Sequence, residues 1–328
     1  MARPRKFDIC LDVTPYYHCV SRCVRRAYLC GDDAQSGQSY EHRRQWVEDR
    51  LLALTRSFTI DICAYAVMSN HCHVVLHVDV QKAASLTTRE IVERWHCIFA
   101  GSLLSQRFLT GYPLSDAEVR AVEEQADAWR ENLMSVSWFM RCLNEHIARR
   151  ANEEDDCTGR FWEGRFKCQA LLDESALLAC MAYVDLNPVR AGMANSPEES
   201  EYTSIYRRIA VFRSDTNQQE PANLMPFRSK SNHESTKSVH FKLRDYLELL
   251  DWTGRAIRSD AHAAIPGDLP PIASRLQIES NSWLAMTEGF ESLFHSLVGC
   301  EEAVLNACEQ TGRSWSQGIS ACRRCFPT

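Results

Sequence analysis

Phe58-Thr59-Ile60-Asp61-Ile62-Cys63-Ala64-Tyr65-Ala66-Val67 leads through Met68 and Ser69-Asn70 into His71-Cys72-His73-Val74-Val75-Leu76-His77-Val78. Both flanks are rich in β-branched and aromatic residues and the middle has turn chemistry, so the stretch predicts a β-hairpin. Strand side chains alternate faces. His71 and His73 therefore point the same way, with Cys72 turned into a core. Such a pair can hold one metal ion or simply lie on a solvated strand face, and the triplet alone does not choose between the two.

Working outward, Tyr16-Tyr17-His18-Cys19-Val20-Ser21-Arg22 reads as a first strand, and 41–56 as a helix with apolar spacing at Trp46, Val47, Leu51, Leu52 and Leu54. Thr87 and Glu90 form a capping box opening a helix to about residue 104, and Ser115 with Glu118 opens a polar one. Val136, Phe139, Met140, Leu143 and Ile147 mark a further amphipathic helix. Residues 161–172 read as a strand, and 175–186 as a helix stopped near Pro188. This order, β-α-β-β-α(α)-β-α, predicts an α+β fold with a mainly antiparallel sheet and helices on one face. After residue 211 the chain turns polar, so we divide it into an α+β domain at 1–210, a linker or long loop at 211–240 and a small all-helical module at 241–328.

The chain has 328 residues, 45% hydrophobic and 24% charged, as in an ordinary globular protein. No apolar run approaches the ~20 residues of a membrane span. The basic N-terminus has no apolar segment behind it, so a cytoplasmic location without membrane attachment is expected. The fifteen cysteines are odd in number, and several (Cys63, Cys97, Cys142, Cys180) fall inside predicted elements, which favours reduced core thiols. Cys19 with Cys23, or Cys322 with Cys325, could each supply only half of a zinc site. A formal net charge of −6 argues against nucleic-acid binding through overall charge. Any such binding must use local clusters: Arg22, Arg25 and Arg26; Arg160, Arg165 and Lys167; and Arg190. Solvated charged faces are the plain alternative.

Ala179, Tyr183 and Asn187 follow one another at i, i+4 and form one helical stripe. Leu177, Leu178, Met181 and Val184 can face a core. Pro188 disfavours helical geometry at Asn187, which predicts a frayed last turn there.

Three blocks in order carry a family resemblance: Tyr65-Ala66-Val67-Met68-Ser69-Asn70-His71-Cys72-His73-Val74-Val75-Leu76; Gly159-Arg160-Phe161-Trp162-Glu163-Gly164-Arg165-Phe166-Lys167; and Tyr183-Val184-Asp185-Leu186-Asn187-Pro188-Val189-Arg190-Ala191-Gly192. Over about residues 8–210 the chain resembles single-tyrosine HUH transposases, the REP-associated tyrosine transposases among them. The resemblance implies a ferredoxin-like sheet with His71, His73 and Asn187 as ligands of a divalent metal, Mg²⁺ or Mn²⁺, and Tyr183 as nucleophile. It implies cleavage and rejoining of single-stranded DNA through a 5′-phosphotyrosine link, at hairpin or palindromic DNA. Arg22, Arg160, Trp162, Arg165, Lys167 and Arg190 would then line the DNA path, with Trp162 either stacking a base or filling the core. A homodimer is compatible with this scheme. Cys72 departs from the larger aliphatic residue usual in the family, and the acidity, the stretch 111–132 and the C-terminal helices exceed the family's minimal plan. Two other readings stay open: a catalytically quiet regulator that binds DNA hairpins, and a replication-initiator or relaxase nickase.

Overall fold

The computed structural model describes residues 8–24, 29–32, 37–214, 221, 223–228, 238–258 and 270–326. The hairpin forms as its sequence predicts, with β2 (Ile60–Val67) and β3 (His71–Val78) antiparallel. The Met68 amide donates to the His71 carbonyl at 2.9 Å to close the turn. The turn's own carbonyls are satisfied from outside, Ser69 by the Cys30 amide and Asn70 by the Cys23 amide. A bulge between Ile62 and Ala64 leaves Cys63 as an extra residue in β2.

β1 (Tyr16–Arg22) lies between β3 and β4 (Lys167–Leu171), antiparallel to both, and the sheet order is β2-β3-β1-β4-β5. β4 is shorter than the predicted 161–172. Phe161 and Trp162 are both buried, which breaks the period-two alternation of a strand. Trp162 instead makes one isolated bridge to Cys23 and donates its indole N–H to the Asn144 carbonyl at 2.8 Å.

The helices are α1 (Arg43–Ser57), α2 (Val80–Ser85), α3 (Thr88–His96), α4 (Leu103–Leu109), α5 (Asp116–Leu133), α6 (Val136–Glu154), α7 (Glu174–Asp185), α8 (Asn187–Arg190), α9 (Ser204–Arg213), α10 (Leu243–Arg258), α11 (Pro271–Arg275), α12 (Ser280–Leu293), α13 (Glu301–Gln310) and α14 (Ile319–Cys325). Both predicted capping boxes are present, at Thr87 with Glu90 and at Ser115 with Glu118. The helix predicted to run to residue 104 stops at His96. Gly101 has φ +68°, and a Cβ there would come within 2.2 Å of the His96 ring, so the chain turns before Ser102 caps α4.

Helices cover both faces of the sheet, not one. On one face Tyr65 donates to Glu48 of α1 at 2.5 Å, and Asn144 of α6 donates to Ser21 of β1 at 2.8 Å. On the other, His73 meets Tyr183 of α7 and His18 meets Phe290 of α12. The difference arises because the crossover helices α1 and α6 take the first face, and the helix that follows β4 must take the second.

The C-terminal elements are built into this core. β5 (Leu297–Val298) runs parallel to β4, with Ala170 donating to the Ser296 carbonyl and Leu172 to that of Val298, both at 2.8 Å. α12 packs along α7, and every residue of α7 from Ala176 on is buried. The predicted amphipathic helix is thus covered on all sides. Within the polar stretch, Met225 donates to the Ile62 carbonyl at 2.8 Å and Phe227 stacks on Tyr246. The fifteen cysteines form no disulfide. Among the described residues, no helix is long and apolar enough to cross a membrane.

Candidate functional site

Strand alternation and pairing bring five polar groups onto one face: His71 and His73 of β3, His18 of β1 opposite Val75, and Lys167 and Gln169 of β4 opposite Val20 and His18. The His71 and His73 rings lie 4.8 Å apart. His71 Nδ1 sits 2.5 Å from Asn70 Oδ1, an oxygen that can only accept, so that ring nitrogen carries the proton and Nε2 is bare. His73 Nδ1 lies 3.0 Å from His18 Nε2, while His73 Nε2 is buried with no hydrogen-bond partner. Burial, with the Arg22 guanidinium behind it, pushes His71 down to about 4. Burial followed by the neighbouring His18 holds His73 well below its ordinary value, so both rings are neutral at pH 7. Cys72 points to the opposite face, its thiol pushed up to about 12 by burial, and cannot join the histidines as a ligand.

α7 starts with Asp173 accepting from the Ala176 amide at 2.8 Å and brings Tyr183 over this face. The tyrosine ring lies 5.6 Å from His73 and 6.2 Å from His18, edge-on to both. Arg190 stacks over it, with its guanidinium carbon 4.1 Å from the ring centroid, and donates to the Thr287 carbonyl at 2.7 Å. Burial pushes the phenol up to about 12, against the pull of Arg190, and the hydrogen-bonded Glu291 carboxylate adds to the rise. Glu291 of α12 also faces Lys167 at 3.8 Å. α12 therefore brings an anion to a place where the surrounding groups favour one.

Asn187 does not sit in a frayed turn. The helical path continues through Leu186, where φ is −90° and ψ is 2°, and Asn187 opens α8 with Pro188 in its first turn, where a missing amide hydrogen costs nothing. Its side-chain Nδ2 is buried with no partner among the described residues. The residue before it but one, Asp185, is fully buried and accepts from Tyr246 at 2.7 Å, from the Ile205 amide at 3.0 Å and from Ser204. Burial pushes its carboxyl up to about 6. This acid holds α7 to α9 and α10.

The two neutral imidazoles fit a divalent metal, through the Nε2 lone pairs of His71 and His73, and the Asn187 amide could add only its oxygen, since its unpartnered atom, Nδ2, is an N–H donor. Among the described residues no group of three His, Cys, Asp or Glu side chains forms a metal cluster, and neither cysteine pair becomes a zinc site. Nitrogen donors of this kind suit Mn²⁺ better than Mg²⁺.

Of the expected DNA contacts, Arg22, Arg165 and Lys167 surround one surface depression at the end of β1 and the start of β4. Arg160 is exposed nearby and donates to the Glu163 carbonyl. Trp162 is buried edge-on to Phe161 and offers no open face to a base. Arg190 belongs to the tyrosine, not to the outer rim. Arg25 and Arg26 lie outside the described residues. The sequence reading missed His18, Gln169 and Glu291. A larger cavity of about 720 Å³ opens beside them, lined also by Arg313 and the exposed Trp315. His18 was legible in principle, since it alternates within β1. Its partner across the sheet was not, because pairing is not written in one strand.

No family model matches the chain, and no curated protein matches it. A solved structure described as the REP-associated tyrosine transposase bound to a REP hairpin is similar at 13% identity and a TM-score of 0.38, covering 70% of this chain and 100% of that one. A likeness this loose fixes neither fold nor function.

Proposed function

We propose that this protein is a metal-dependent enzyme of single-stranded DNA, cleaving and rejoining strands at hairpin or palindromic sequence through Tyr183. The observation that carries the reading is one sheet face on which His71 and His73 lie with rings 4.8 Å apart, His73 Nε2 is buried without a partner among the described residues, and the Tyr183 ring lies 5.6 Å from that of His73 under the Arg190 guanidinium. The β-α-β-β-α-β core with strand order β2-β3-β1-β4 and both crossover helices on one face is the ferredoxin-like plan, which supports the same reading.

His71 and His73, with the Asn187 amide as third donor, would hold the metal, which when bound polarises the scissile phosphate. Tyr183 Oη attacks phosphorus and the bond to the 3′-oxygen breaks, leaving a 5′-phosphotyrosine and a free 3′-hydroxyl. The phenol gives up one proton and the 3′-oxygen gains one. Arg190 stabilises the phenolate that burial and the Glu291 carboxylate oppose. In the reverse direction the 3′-hydroxyl attacks the link and reseals a strand. Arg22, Arg165 and Lys167 would hold backbone phosphates on the approach.

Incubation with labelled single-stranded hairpins from the flanks of its own gene, with Mn²⁺ or Mg²⁺, should give a covalent adduct on denaturing gels, lost in Tyr183→Phe. Specific hairpin binding with no adduct under any metal would instead identify a regulator.

A further inference from the structure

A chain of hydrogen bonds runs behind His73 through residues the proposed chemistry does not otherwise use. Gln169 Nε2 donates to the Phe294 carbonyl at 2.8 Å, Gln169 Oε1 lies 2.7 Å from His18 Nδ1, and His18 Nε2 lies 3.0 Å from His73 Nδ1. All three side chains are buried, at 8%, 0% and 0% exposure for Gln169, His18 and His73.

The direction of each bond follows from the first. A backbone carbonyl can only accept, so the amide NH₂ of Gln169 must face Phe294 and its oxygen must face His18. That oxygen accepts, so His18 carries its proton on Nδ1. His18 is wholly buried and its hydrogen-bond partners are an amide oxygen and a second imidazole, with no carboxylate among them to pair a charge, so the ring is neutral with one proton and its Nε2 is an acceptor. The hydrogen on the last bond therefore belongs to His73 Nδ1, and His73 Nε2 bears a lone pair. That Nε2 is buried and has no partner among the described residues.

We infer that Gln169 and His18 are positioning residues that lock His73 in its Nδ1–H tautomer and keep Nε2 bare for a divalent cation. The inference rests on the metal-site reading given above, but its first half concerns only a proton. Asn70 does for His71 what this relay does for His73. The two imidazoles reach the same tautomer by different routes, a local turn amide for one and a three-residue path anchored on the C-terminal segment for the other. Partners behind a ligating imidazole fix ring orientation and basicity, and their loss typically weakens metal binding about 10–100-fold.

Two measurements on the full-length protein test this, both without DNA. Long-range ¹H–¹⁵N correlation spectra of histidine-labelled, metal-free protein report the tautomer of His73. Mn²⁺ titration followed by electron paramagnetic resonance reports binding. The wild type should show His73 as Nδ1–H. His18→Leu and Gln169→Leu should each lose that single tautomer and bind Mn²⁺ about 10–100-fold more weakly. His18→Gln, whose side-chain oxygen can accept from His73, should regain most of both. Thermal melts identify any variant that fails to fold, and the other then serves. His73 found as Nε2–H in the wild type, or unchanged in both leucine variants, overturns the relay. The expected tautomer pattern with no Mn²⁺ binding in the wild type would leave the relay standing and remove the metal-site reading beneath it.

Discussion

On one face of the sheet Tyr65 meets α1 and Ser21 meets α6, and on the other His73 and His18 meet α7 and α12, with Gln169 behind them bonded to the carbonyl of Phe294 just past α12. Both faces are buried. On the first, the Tyr17 hydroxyl shares its hydrogen between the backbone carbonyls of Cys10 and Thr14 and that of Tyr65 donates to Glu48, while Asn144 Oδ1 has no partner among the described residues. On the second, His73 Nε2 and, at the helix end beyond, Asn187 Nδ2 are left without partners. An unmet buried polar group costs about 1–3 kcal/mol. The Asn144 Oδ1 acceptor on the first face is open as well, so the contrast lies in the groups gathered: the second face brings a pair of imidazoles, one with an open lone pair, against a tyrosine.

The largest test of this contrast is a pair of substitutions three residues apart on β3. His73→Ala should reduce adduct formation on hairpin DNA, per folded molecule, by about 10³-fold or more, roughly 4 kcal/mol in the barrier. Leu76→Ala, on the opposite face, should cost about 2–5 kcal/mol of stability in urea melts yet leave the adduct rate per folded molecule nearly unchanged. Equal effects of both on stability and rate would erase the distinction between the faces.

The next effect lies behind α7, at Asp185. Its carboxyl is pushed up to about 6 in the fold by burial, above the ordinary value near 4 of an unfolded chain. Between these values the folded state binds more protons than the unfolded one, so stability falls as pH rises. This group's contribution is fully present below about pH 4 and is lost as pH rises through about 6, a change on the order of 2–3 kcal/mol. Urea unfolding from pH 4 to 7 should show that loss, and Asp185→Asn should flatten it. An unchanged slope in the variant would mean that Asp185 is already ionised in the fold.

Much of this arrangement was legible in the sequence because it is local. The hairpin of 58–78, both capping boxes and the common face of His71 and His73 depend on neighbours a few residues apart. What failed depended on distant packing. Trp162 could be read as stacking a base or filling the core, and what decides for the core is a partner eighteen residues earlier, the Asn144 carbonyl that takes its N–H. α7 read as amphipathic because nothing near it announces that α12, a hundred residues on, covers its other side. Asn187 read as frayed because Pro188 usually ends helices, whereas here the proline falls within the first turn of α8.

The smallest expected effect separates the charges at the edge of the second face. Glu291 sits between Lys167 and the Tyr183 hydroxyl, where a scissile phosphate would be held by the same groups. In a Tyr183→Phe background, which prevents cleavage, Glu291→Gln should bind a single-stranded hairpin several-fold more tightly by fluorescence anisotropy, since the competing carboxylate charge is gone. Lys167→Ala should bind a few-fold more weakly and lower the slope of log affinity against log salt by about one. The two variants thus move affinity in opposite directions by similar small amounts. If Glu291→Gln leaves affinity unchanged while Lys167→Ala weakens it, the DNA passes over Lys167 without reaching the place that α12 fills, and the carboxylate is a structural partner of Tyr183 only.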